Sequence, residues 1–347
     1  MHTNFGPIAL LGSGETSLAG GRVFESIAQD LPHPFRIAIL ETPAGFELNF
    51  HQVAGRVADF LKVRLQNYQP VIDIIPARKR NSPFSPDDPE TLKWLLHANI
   101  IFMGAGSPTY AVRQLSGSLT WDIVRARHRL GAALIFASAA TIAVGARVVP
   151  VYEIYKVGEE ITCPPGLDLF RDFGLALSCV PHWNNTDGGA DVDTSRCLIG
   201  MERFSRWCAL LPEGHTTLGL DEHTGIIFDF AAGFFTVNGV SSVTLLRECN
   251  PEIYPAGSIS QIADLGDVHC PQAAEDGIPP AVWEMVSNAE QIQGPDEVPG
   301  EILRLLEHRE AARACKDWAA SDSIRQQIVA LGWSVLDTPD GQKPVRM

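Results

Sequence analysis

The chain has 347 residues, 45% of them hydrophobic, and a formal net charge of −14. That length holds one large domain or two with ample material for a core, while the negative charge opposes broad nucleic-acid binding by the chain as a whole. Seven cysteines, odd in number and without a CxxC pair, fit a reducing cytoplasm better than a disulfide framework.

No apolar run approaches membrane-spanning length, and the first residues lack a basic stretch leading into an apolar one. A soluble, cytoplasmic protein without membrane partners is therefore expected. Residues 8–11 read as a buried strand ending in the Gly-rich turn Gly12-Ser13-Gly14, with a helical pattern after it through Phe24 and Ile27. Residues 36–40 read as a second strand, 50–65 as a helix and 71–75 as a third strand. A helix is expected over 87–97, a fourth strand over 99–103 and a longer helix over 112–128. The apolar run Ala133-Leu134-Ile135-Phe136-Ala137 is the fifth strand. Strands apolar on both faces and alternating with helices imply a parallel sheet covered on both sides, a flavodoxin-like α/β fold. Glycine turns after strands one and four converge with Ser138, after strand five, where open α/β sheets place their ligands.

Ser138 stands at the turn from strand five into the small-residue run Ala139-Ala140-Thr141-Ile142-Ala143. A serine on a tight strand-to-helix turn is pushed out of the backbone with its hydroxyl exposed, and neighbouring N–H groups can receive an oxyanion. Small neighbours such as Ala137, Ala139 and Ala140 are what that turn needs. An ordinary buried strand followed by an Ala-rich helix would give the same composition. Gly12-Ser13-Gly14 lacks the third glycine of a dinucleotide fingerprint, and no phosphate loop is present.

Beyond the serine, residues 148–158 alternate in β fashion and contain Glu153. Residues 175–183 form a strand ending on His182, and a polar loop follows from Asn184 to Gly189. A helix is expected to start at Asp193-Thr194-Ser195-Arg196, with Arg203 on a similar face. Residues 216–247 read as hairpins, an antiparallel β extension. From 251 to 299 periodicity fades and Pro, Gly and acidic residues accumulate, which reads as a linker with a short helix near Trp283. Residues 300–347 recover a helical pattern, a helical hairpin closed by Gly332 and a short extended piece. The expected domains are thus 1–250, a linker 251–299 and a tail 300–347.

Together, Gly104-Ala105-Gly106-Ser107, Phe136-Ala137-Ser138-Ala139-Ala140, Glu153, His182 and Gly219-Leu220-Asp221-Glu222 resemble the peptidase E and cyanophycinase family. The resemblance covers roughly residues 5–247 and implies a class I glutamine amidotransferase-like fold. It implies Ser138 as nucleophile, His182 as general base and Glu153 as the group that orients the imidazole. Backbone N–H groups near Gly106 and Ala139 would form the oxyanion hole. Phe136 and Ala140 stand where the family usually has glycines. Chemistry supports the same roles, since a serine hydroxyl needs a base within reach and that base needs a carboxylate partner. Gly14, Ser107, Asn184 and Arg196 are expected to bind substrate, Arg196 through a bidentate grip on a carboxylate. Thr141 is a second, poorly placed candidate nucleophile.

The segments His308–Arg325, Leu331-Gly332-Trp333 and Leu336–Gly341 resemble the C-terminal end of cysteinyl-tRNA synthetase. The synthetase's catalytic signatures and zinc ligands are missing, so the resemblance implies at most an RNA- or protein-contacting module, and a reused helical hairpin fits as well. A zinc site from Cys179, His182, His215 and His223 lacks an established spacing. The loop with Asn184, Asn185, Asp187, Asp191 and Asp193 lacks calcium-hand spacing. The expectation is a serine hydrolase that cleaves a small aspartyl peptide or related amide through an acyl-enzyme, without metal or organic cofactor. The alternative is a catalytically inactive small-ligand-binding protein of the same fold with a partner- or tRNA-contacting tail. A homodimer is the default expectation.

Overall fold

The computed structural model describes residues 5–31, 34–247, 250–291, 300–315, 317–331, 333–338 and 341–346. Two compact units divide the chain, Met1–Ser287 and Asn288–Met347. The first opens with β1 (Ile8–Leu11), α1 (Leu18–Asp30), β2 (Arg36–Leu40), α2 (Phe50–Arg64) and β3 (Val71–Ile75). There follow α3 (Pro89–Leu92), β4 (Ile100–Met103), α4 (Pro108–Leu115), α5 (Leu119–Arg129), β5 (Ala133–Ala137) and α6 (Ala139–Ala143). The five strands of this stretch are parallel and lie in the order β1-β5-β4-β2-β3.

Both faces of the inner strands β1, β5, β4 and β2 are apolar because both are covered, whereas β3, at the sheet edge, carries Asp73 and leaves Ile74 exposed. Ile8, Leu10, Leu134 and Phe136 belong to one cluster with Trp121, Phe170 and Phe173. Ala9, Leu11, Ile135 and Ala137 belong to another with Val23, Phe24, Val57 and Leu61 of α1 and α2. Alternate residues of one strand thus enter opposite layers, as the two-residue period of a strand requires.

The rest of the first unit supplies β6 (Leu177–Val180), α7 (Gly200–Cys208), β7 (Thr216–Leu220), β8 (Thr224–Asp229) and β9 (Phe234–Gly239). It continues with β10 (Ser242–Arg247), β11 (Asn250–Pro255) and β12 (Ile259–Gln261), and α8 (Pro280–Gln291) runs across the boundary between the units. β8 pairs antiparallel with β1, and β9 and β12 extend the same sheet to eight strands. A second sheet has the order β11-β10-β7-β6. The fold is therefore the expected α/β sheet with an antiparallel extension.

Four local expectations change. Residues 251–287 are not a linker: β11 and β12 complete the two sheets, and Ile262, Leu265, Val282 and Val286 are buried in the main cluster. The helix over 112–128 is two helices, because Gly117 takes a φ of 63° and Ser118 caps α5. Residues 153–157 form a single π turn rather than a strand, with Ile154 buried. No helix starts at 193–196, because Arg196, Cys197 and Leu198 hold φ values of 59°, 61° and 71° and α7 begins only at Gly200. Each left-handed residue costs about 1–2 kcal/mol. That turn is held by Arg196 N–H to the Trp183 carbonyl, Cys197 N–H to the His182 carbonyl and Leu198 N–H to the Thr194 carbonyl.

The second unit contains α9 (Gly300–Ala314), α10 (Trp318–Ala330), β13 (Trp333–Thr338) and β14 (Gly341–Arg346), the last two paired antiparallel. Its own core joins Ile302, Leu306, Ile328, Trp333 and Val335. No helix among the described residues is long and apolar enough to cross a membrane.

Candidate active site

β5 ends on Ser138, whose φ of 52° and ψ of −117° form a conformation that residues with a Cβ rarely hold. The elbow is over-determined by its neighbours. Ser138 N–H donates to the Leu11 carbonyl at 3.3 Å, and the Ser138 carbonyl accepts from Ile142 N–H at 3.3 Å. Phe136 turns into the core against Trp121, with ring centroids 6.4 Å apart, and Ala140 is fully buried. Thr141 is buried as well and shares its hydroxyl hydrogen between the carbonyls of Leu11 (2.9 Å) and Phe136 (3.0 Å), so it braces the elbow.

β6 and β7 run parallel with Val180 opposite Gly219, so the chain leaves both strands side by side. His182 follows β6 with a φ of 48°, and Glu222 follows β7. His182 N–H donates to the Gly12 carbonyl at 3.2 Å, tying the histidine to the turn after β1. Its Nε2 lies 3.0 Å from Ser138 Oγ and its Nδ1 2.9 Å from Glu222 Oε1. Asn185 Nδ2 donates to the same Oε1 at 3.0 Å, and Asn184 Oδ1 accepts the Glu222 backbone N–H at 2.8 Å. Partial burial works to raise the Glu222 pKa, but the hydrogen bonds from Asn185 and His182 and the nearby His182 and His223 together outweigh it and hold the carboxyl below its ordinary value. An ionised Glu222 accepts from Nδ1–H, and the hydrogen-bond network then leaves Nε2 as the acceptor for the serine proton.

Opposite the serine, Gly106 has a φ of 141°, and a Cβ on it would fall 2.0 Å from the Pro43 carbonyl oxygen. Only glycine fits there. Ala140 N–H donates to the Gly104 carbonyl at 3.2 Å, which draws the loop 104–107 against the start of α6. The N–H groups of Gly106 and Ala139 find no acceptor among the described residues.

Glu153 does not meet His182. Its Oε1 accepts from Thr109 Oγ1 at 2.6 Å, Thr109 Oγ1 in turn lies 3.0 Å from Ser107 Oγ, and the buried Glu153 Oε2 has no partner among the described residues. The π turn of 153–157 sends this carboxylate toward α4, so the group that orients His182 is Glu222 and the expectation for Glu153 is corrected.

Ser107 is buried and caps α4 by accepting from Tyr110 N–H at 3.2 Å. Gly14, at φ 74°, packs against His223, where a Cβ would fall 2.3 Å from Nδ1. Asn184 spends its Oδ1 on Glu222. Arg196 lies 3.9 Å over the Trp183 ring and donates from Nη1 to the Trp183 carbonyl at 2.8 Å. Burial lowers its pKa.

A solved peptidase from an acI-B1 Actinobacterium is similar to 76% of this chain and 99% of its own, with a TM-score of 0.60 and 18% identity. The α/β body shares its fold with that protein. A putative peptidase E protein from Listeria monocytogenes EGD-e also matches, at a TM-score of 0.43 and 14% identity, over 70% of this chain and 98% of that one. At the other end, a family profile described as cysteinyl-tRNA ligase anticodon binding domain matches residues 296–343. Cysteine–tRNA ligase from Methanosarcina mazei is 56% identical over 50 residues, 14% of this chain and 11% of that protein. The enzyme from Opitutus terrae is 51% identical over 45 residues, 13% of this chain and 10% of that protein. The chain spans about one tenth of the length of these curated relatives.

Within the α/β body, Glu222 and Asn185 stand at His182 although the sequence pattern does not place them there. A signal for Glu222 was present: an acidic pair closes β7, the strand next to the one that ends on His182. His215 is buried and its Nε2 lies 2.8 Å from Ser178 Oγ, while His223 is exposed in the turn after β7. No group of three or more His, Cys, Asp or Glu among the described residues is arranged to hold a metal ion.

Proposed function

We propose that the protein is a serine-type peptidase or amidohydrolase acting on a small aspartyl peptide or related amide. The observation that carries this reading is the chain of contacts from Ser138 Oγ to His182 Nε2 (3.0 Å) and from His182 Nδ1 to Glu222 Oε1 (2.9 Å). In this reading Ser138 Oγ attacks the scissile carbonyl while His182 Nε2 takes its proton. The Gly106 and Ala139 N–H groups receive the oxyanion, each donor contributing about 3 kcal/mol. His182 then protonates the departing amine, and a water deprotonated by the same nitrogen releases the acid from the acyl-enzyme. Glu222 stabilises the imidazolium in both halves. Arg196, with Nη1 on Trp183, contributes the positive charge that suits an aspartyl carboxylate.

The test is intact-protein mass spectrometry after incubation with a fluorophosphonate, on wild type and Ser138→Ala, followed by hydrolysis assays on aspartyl dipeptides. One adduct per chain on wild type, none on the variant, and dipeptide cleavage are expected. A well-folded wild type that takes no adduct and cleaves no dipeptide leaves the inactive ligand-binding alternative.

A second reading concerns the tail alone. The profile match over 296–343 favours a tRNA or protein contact there, although acidic side chains outnumber basic ones in this unit. A tRNA shift assay on the full chain at rising salt, with Trp318→Ala beside it, tests it: Trp318 is 58% exposed and faces Arg313.

A further inference from the structure

The loop after His182 is exposed at Asn184, Thr186 and Asp187, yet Asn185 between them is buried, with 4% of its surface accessible. A buried side-chain amide is costly unless its donors and acceptor are matched. Here they are. Oδ1 accepts from Asp187 N–H at 3.1 Å, which orients the amide so that Nδ2 faces two carboxylates, Asp187 Oδ2 and Glu222 Oε1, each at 3.0 Å. The backbone N–H of the same residue donates to the His182 carbonyl at 3.2 Å. One residue therefore grips the proposed base through its main chain and the proposed carboxylate through its side chain.

This double hold has a mechanical consequence. Glu222 Oε1 accepts from two directions, His182 Nδ1 and Asn185 Nδ2. With the imidazole as its one donor, the carboxylate could swing about its last torsion and carry the ring with it. A second donor on the same oxygen fixes the carboxylate plane, and Asn184 fixes the backbone beneath it. We propose that Asn185 is a positioning residue whose amide locks the Glu222 carboxylate, and through it sets the tilt of the imidazole facing Ser138.

The inference rests on the hydrolase reading for its consequence in turnover, but not for its effect on the imidazole. The other titratable groups around the pair are Asp187 behind Asn185, His223 beside Glu222, the buried Cys197 thiol and Asp221, the last held by Ser241 and Ser242. All are unchanged in the variants that test it.

Asn185→Leu removes the donor at similar size, and Asn185→Asp replaces it with a third carboxylate. Asn185→Leu is expected to lower kcat on an aspartyl dipeptide by about 10- to 100-fold with KM within about threefold, the range typical of a residue that orients a functional ligand. Asn185→Asp places like charge beside Glu222 and favours the imidazolium. The acid limb of kcat/KM and the midpoint of the His182 imidazole resonance in an NMR titration should both move up by about one pH unit. A merely structural asparagine would change stability alone and leave kcat of folded Asn185→Leu at the wild-type value, whereas the added charge of Asn185→Asp reports whether position 185 is coupled to the imidazole. An unchanged His182 midpoint in folded Asn185→Asp overturns the proposal, even if Asn185→Leu fails to fold. A wild type that takes no fluorophosphonate and cleaves no peptide defeats the hydrolase reading alone, because the NMR midpoint still decides the role of Asn185.

Discussion

Glu222 and Glu153 separate two roles that look alike in the sequence. Glu222 meets His182, whereas Glu153 meets Thr109. Glu222→Gln keeps the shape but cannot fix the tautomer, so kcat on an aspartyl dipeptide should fall by about 10³–10⁴-fold. Glu153→Gln should stay within about tenfold of wild type, because its effect reaches the site only through Thr109 and Ser107. Equal losses in the two variants would reverse the assignment. The pKa shift of Glu222 adds a stability effect of definite sign. Its folded value lies below the ordinary 4.5, so its stabilisation is present above that pH and is lost as pH falls through the folded value. The serine and the histidine could be read in the sequence because each ends an apolar strand. Glu222 was harder, since what selects it is the parallel register of β6 and β7, which brings it to His182 across 40 residues of sequence.

At the scale of elements, the site depends on close approach of backbones. Gly12, the first residue past β1, sits where a Cβ would fall 2.1 Å from the Asp221 carbonyl oxygen, while its own carbonyl holds His182 N–H. Gly12→Ala must push the turn 221–223 away from β1, and so separate Glu222 from His182. The expected result is a loss of about 1–3 kcal/mol in urea unfolding, as for other overpacked sites, with phosphonate labelling slowed more than tenfold. Full labelling rates in the variant would show that the turn yields without moving Glu222. The elements that the sequence made plain are the five parallel strands, short β-branched-rich apolar runs, broken only by Asp73 in β3, that are bounded by turn residues. Misread elements share a different cause. The break at Gly117 and the left-handed turn at 196–198 are conformational choices held by tertiary hydrogen bonds, to which hydrophobic periodicity is blind. Strands β11 and β12 were hidden because they are mostly exposed edge strands: β11 contains Pro251 and Pro255 and β12 spans only three residues, so neither shows the apolar run of a buried strand.

For the whole molecule, the division into two units predicts separable stability and activity. The main core already contains Val282 and Val286, so a chain ending at Gln291 keeps the buried residues described for the α/β body. It should take the fluorophosphonate at the wild-type rate, whereas the isolated second unit, whose described core is small, should be marginally folded by circular dichroism. The larger unit carries its own acid sensitivity. His128 is fully buried, with Nε2 2.8 Å from the Gly6 carbonyl, and burial pushes its pKa down from 6.5 to about 4. Burial pushes His215 down to about 4 as well. Both are neutral in the folded protein where the unfolded chain would bind a proton. Their stabilisation is therefore complete above pH 6.5, declines as pH falls toward 4, and loses nothing further below the folded values. For His128 the decline amounts to roughly 3 kcal/mol. Urea midpoints at pH 7.5 and 4.5 should differ accordingly in wild type. His128→Gln should be less stable at pH 7.5 and show a smaller difference between the two. If the variant loses stability with acid as steeply as wild type, the sensitivity lies with the carboxylates and not with this histidine.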